Sequence, residues 1–79
     1  MGDLRGINLS MAQLTQADFF AANLFGADLT RANLTGANLS GVNFSMAKFS
    51  GANVSKALCM GTLFSCLDLS EVRSEKLEV

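Results

Sequence analysis

Asp28, Lys48 and Asp68 are spaced twenty residues apart. A lysine between two carboxylates is the grouping in this chain best suited to proton transfer. Cys59 and Cys66 add two thiols. Composition closes most other routes to chemistry. None of the 79 residues is histidine, so no histidine base, Ser-His pair or His metal ligand can be assembled. Two cysteines make no disulfide framework, and such thiols fit a reducing compartment. Gly2 suggests myristoylation, but the motif asks for Ser or Thr at position 6, where Gly6 stands.

Charge and hydropathy narrow the class further. The net charge is −1 from six basic and seven acidic residues, which argues against a nucleic-acid binder and against a polybasic membrane patch. Hydrophobic residues make up 49% of the chain and mean hydropathy is +0.31, yet the most apolar stretch is broken by Asp18, Asn23 and Asp28, so no transmembrane run exists. The N-terminus carries Asp3 and Arg5 with no apolar stretch of the signal-peptide kind. The cytoplasm is therefore the expected location. A compact globule of this length would be marginal, so the distribution of the apolar residues decides the architecture.

They recur every five residues. The centres of fourteen consecutive quintets are Leu4, Leu9, Leu14, Phe19, Leu24, Leu29, Leu34, Leu39, Phe44, Phe49, Val54, Cys59, Phe64 and Leu69. Two positions before the centre, Ala occurs nine times; one before it, Asp or Asn ten times; one after it, Ser or Thr ten times. Six of the seven glycines fall two positions after a centre. A helix would rotate such a stripe by about 140° per quintet, and a flat strand would flip it to the opposite face. A short extended segment followed by a corner satisfies the period. If each corner is a right angle, four quintets close a square coil with the centre and the preceding Ala inside. Successive coils then pair at about 4.8 Å. Gly, Asn, Asp and Ser suit the corners, and the lack of proline leaves every N–H free to donate.

The quintets Ala27-Asp28-Leu29-Thr30-Arg31, Ala32-Asn33-Leu34-Thr35-Gly36 and Ala37-Asn38-Leu39-Ser40-Gly41 resemble the pentapeptide-repeat family, and the likeness runs from residue 2 to about 71. It implies an all-β fold, a right-handed quadrilateral β-helix, here of about four coils. The handedness and the square section come from the resemblance. The expected organisation is a β-helix over 1–70 and a charged tail over 71–79, which either completes a last partial coil or forms a short cap.

With four quintets per coil, residues twenty apart stack. Face one then carries Leu4, Leu24, Phe44 and Phe64; face two Leu9, Leu29, Phe49 and Leu69; face three Leu14, Leu34 and Val54; face four Phe19, Leu39 and Cys59. Val42, Thr62, Leu67 and Val72 are large for the Ala position and are expected to widen or end the coil near Leu69. Cys59 points inward as a small core hydrophobe, Cys66 outward, so the two should not pair. Asn8, Asp28, Lys48 and Asp68 form an outer ladder that relieves carboxylate repulsion, worth about 1 kcal/mol or less per pair. It has no cleft, and no catalytic role is assigned to it. The sequons at Asn8, Asn33, Asn38, Asn43 and Asn53 follow from the repeat itself and do not indicate glycosylation.

Eight outward positions break the polar pattern: Met11, Phe20, Phe25, Met46, Leu58, Met60, Leu63 and Cys66. All but Met11 fall on faces four and one, which adjoin. Phe20, Phe25, Met46, Leu58, Met60, Leu63 and Cys66 are thus the candidate protein-contact patch, with the corner carrying Phe20, Phe25, Met60 and Leu63 as its best part. No catalytic, cofactor or metal residue is expected, since no nucleophile has a base and a filled bore offers no pocket. The expected function is a non-enzymatic protein-binding or scaffold module. Solenoid ends need caps, and the N-terminal end shows none, so the chain either self-associates through its coil ends or apolar corner, or is a targeting or assembly segment of a larger protein. The family resemblance also implies a DNA-mimicking, topoisomerase-interacting alternative. The modest charge and a rod of about four coils, ~19 Å at strand spacing, count against it.

Overall fold

The computed structural model describes residues 3–62. They form three turns of a square coil, 3–22, 23–42 and 43–62, each stacked on the last at an interval of twenty residues. Eight parallel bridges tie the turns together, from Asp3↔Asn23 to Asn38↔Leu58, and each joins residues twenty apart. The bridging residue is always the one before the apolar centre. The centre donates its N–H to the next coil, as Leu34 does to the Asn53 carbonyl at 2.7 Å. The residue before it donates back to the previous coil, as Asn33 does to the Ala12 carbonyl at 2.9 Å.

Each of the twelve corners is a tight turn closed by a hydrogen bond from the N–H three residues after a centre to that centre's carbonyl, from Ile7 to Leu4 through Thr62 to Cys59. The third residue of every turn has a positive φ, between 60° and 73°, as a type II turn demands. Glycine fills six of these positions. The other six hold Met11, Gln16, Ala21, Arg31, Met46 and Lys56, with φ of 60° to 63°, each against a steric preference of about 1–2 kcal/mol. Met11, Gln16, Ala21 and Arg31 each donate their N–H to the next coil at 2.8–2.9 Å, which helps to hold them in place.

The bore is filled by the positions the period assigns to it. Leu24, Leu29, Leu34, Leu39, Phe44, Phe49, Val54 and Cys59 are buried, as are the alanines between them. Phe44 and Phe49 meet edge to face, ring centroids 4.7 Å apart at 86°, the arrangement aromatic quadrupoles favour. Leu4, Leu9, Leu14 and Phe19 of the first coil pack against this core but are only partly buried. Val42, at an Ala position, is fully buried and keeps its turn bond to Leu39; the widening or end expected near Leu69 lies outside the described residues. Thr62, also at an Ala position, donates its hydroxyl to the Leu39 carbonyl at 2.6 Å. Phe64, Leu69, the expected fourth coil and the tail over 71–79 lie outside the described residues.

Candidate interaction surface

The outside of the coil is organised by the residue before each centre. At nine of the twelve quintets its Oδ1 accepts the backbone N–H two residues on, at 3.0–3.2 Å. Asp and Asn have the reach for this bond. Gln13, Lys48 and Leu58 do not make it. In three quintets the Ser or Thr hydroxyl joins the same oxygen: Ser10 to Asn8, Thr30 to Asp28 and Thr35 to Asn33. These side chains are committed to shaping the turn. The Asp/Asn and Ser/Thr enrichment was visible in the sequence; its reason, an oxygen placed at the mouth of a turn, needed the backbone geometry.

The acid–base candidates dissolve into this scheme. The Asp28 carboxylate is held below its usual pKa, first by the Thr30 hydroxyl, then by the Thr30 N–H, with Lys48 the smallest contributor. Lys48 stands one coil from Asp28 as the spacing requires; Asp68 lies outside the described residues. Among the described residues the one ion pair is between Arg5 and Asp3, 2.7 Å apart and well exposed on both sides, where such pairs contribute little. No group of three or more metal-ligating side chains occurs among them. Cys59 is a free, buried thiol whose pKa burial pushes up to about 11, so it stays protonated and a poor nucleophile near neutrality.

The outward apolar residues remain. Phe20 is 56% exposed, Phe25 44%, Met46 57%, Leu58 41%, Met60 60% and Met11 69%; Leu63 and Cys66 lie outside the described residues. Their arrangement differs from the single corner expected. The turn from Phe19 to Ala22 contains Phe20, and the next, from Leu24 to Ala27, contains Phe25. The two rings therefore occupy successive corners at opposite ends of face one. Met60 shares Phe20's corner two coils on, and Met46 stacks on Gly26 beside Phe25. The residue after each centre belongs to the bend rather than to the flat side, which is why a reading by faces merged the two corners.

A pattern in charge emerges from the same placement. On the second and third coils, faces four and one present Asn23, Phe25, Asn38, Ser40, Asn43, Ser45, Met46, Leu58 and Met60 with no charged residue. The charges of those coils, Asp28, Arg31, Lys48 and Lys56, all stand on faces two and three or their corners. On the third coil, Lys56 borders the uncharged strip next to Leu58, and Lys48 borders it next to Met46. The sequence singled out the apolar residues of this strip but not its lysine margins, which a tally of apolar exceptions does not register.

Comparison with known proteins agrees with the coil. The family model for pentapeptide repeats (eight copies) matches residues 3–36 and 17–55. Among solved structures, QnrB1, a plasmid-mediated fluoroquinolone resistance protein, is similar with a TM-score of 0.79 at 24% identity, over 90% of this chain and 33% of its own. HetL, a pentapeptide repeat protein involved in heterocyst differentiation regulation from the cyanobacterium Nostoc sp. strain PCC 7120, gives a TM-score of 0.67 at 29% identity, over 96% of this chain and 38% of its own. The Nostoc pentapeptide repeat protein alr5209 gives 0.56 at 29% identity, over 89% and 62%. The present chain thus spans between a third and two thirds of each of these proteins. No curated protein matches the sequence.

Proposed function

This chain belongs to the pentapeptide-repeat family, with its right-handed quadrilateral β-helix, and from that premise we propose that it is a non-enzymatic protein-binding or scaffold module working through faces four and one. The uncharged strip of the second and third coils, with Phe25, Met46, Leu58 and Met60 exposed on it, carries the proposal. Depletion of charge with enrichment of aromatic residues and methionine, inside a polar or charged margin, is the composition of an interface core. Neither local feature serves the coil. Met46 occupies a positive-φ corner where glycine is easier, and Leu58 replaces an Asp or Asn that would have closed a turn bond.

The partner is a protein, with a second copy of this chain among the candidates. The test is a double substitution, Phe25→Ser with Met60→Ser, in the whole chain. Mass in solution and retention of proteins from the source organism are compared with the unsubstituted chain, and circular dichroism controls for folding. Loss of either association with the coil intact supports the reading. Unchanged mass and unchanged retention end it.

A topoisomerase-directed DNA mimic is the less favoured reading. Outer charges among the described residues are three acidic, Asp3, Asp18 and Asp28, and four basic, Arg5, Arg31, Lys48 and Lys56. They form no acidic stripe. Protection of gyrase supercoiling by the chain would reverse this preference.

A further inference from the structure

We draw no further inference here: the strongest candidate, the outer edge of the first coil, where the backbone N–H groups of Asn8, Gln13 and Asp18 find no partner among the described residues beside the partly buried Leu4, Leu9, Leu14 and Phe19, carries nothing because nothing in the structure shows what covers it.

Discussion

Asn33 Oδ1 accepts two hydrogen bonds from Thr35, one from its backbone N–H at 3.1 Å and one from its hydroxyl at 2.6 Å. One side-chain atom thereby holds the second half of the quintet in its bend. Replacing Asn33 by Ala removes both bonds and should cost about 1–2 kcal/mol of stability. Lys48 lacks this bond, so Lys48→Asn should work in the other direction and gain about 0.5–1.5 kcal/mol. Urea denaturation of both variants checks the pair. A stabilising Asn33→Ala, or a destabilising Lys48→Asn, would contradict this account of the turn.

The corners separate backbone strain from crowding. A Cβ added at Gly26 would meet nothing within 4 Å, whereas one at Gly51 would lie 3.1 Å from Arg31 Cγ. Both residues have a φ near 70°. Gly26→Ala should therefore lose only the conformational term, about 1–2 kcal/mol. Gly51→Ala should lose more, and Arg31→Ala in the same chain should restore the difference. Equal losses in the two single variants would show that the Arg31 stem moves aside at no cost.

Core depth should be measurable along one face. Leu34 is fully buried in the second coil and Leu14 only partly buried in the first. Leu34→Ala should cost about 2–5 kcal/mol and Leu14→Ala clearly less. If chemical denaturation finds the two equal, the first coil is as well covered as the second.

Asp28 links stability to acidity. Its pKa is lowered in the folded chain by the Thr30 hydroxyl and N–H, so its contribution is present above the unfolded carboxyl value and fades as pH falls through the folded one. Asn at this position keeps an acceptor for both bonds and does not titrate. Asp28→Asn should thus lose less stability than the unsubstituted chain between neutral pH and the acid range. A steeper acid loss in Asp28→Asn would refute the role given to Thr30.

The period of five in the sequence was enough to place the bore and the glycine corners, because each depends on which way a side chain points; the stacking at twenty residues followed once the family resemblance supplied the square section. Leu24 to Cys59 lie where that logic puts them. Placing Phe20 and Phe25 on different corners required knowing where a side ends and a bend begins. The lysine margins of the uncharged strip became visible only once the coil had been wound.

Stacking at an interval of twenty also fixes how such a chain can change length. Removal of one complete coil would leave every later side chain above its former column, with the outer decoration intact. Removal of a single quintet would keep the bore equally well filled, but it would turn everything downstream by a quarter revolution about the axis. With a quintet lost between Phe25 and Met46, Met46 would pass from Phe25's corner to Phe20's, and Met60 would leave Phe20's corner for the one before it. The interior is thus indifferent to phase, while the exterior encodes it.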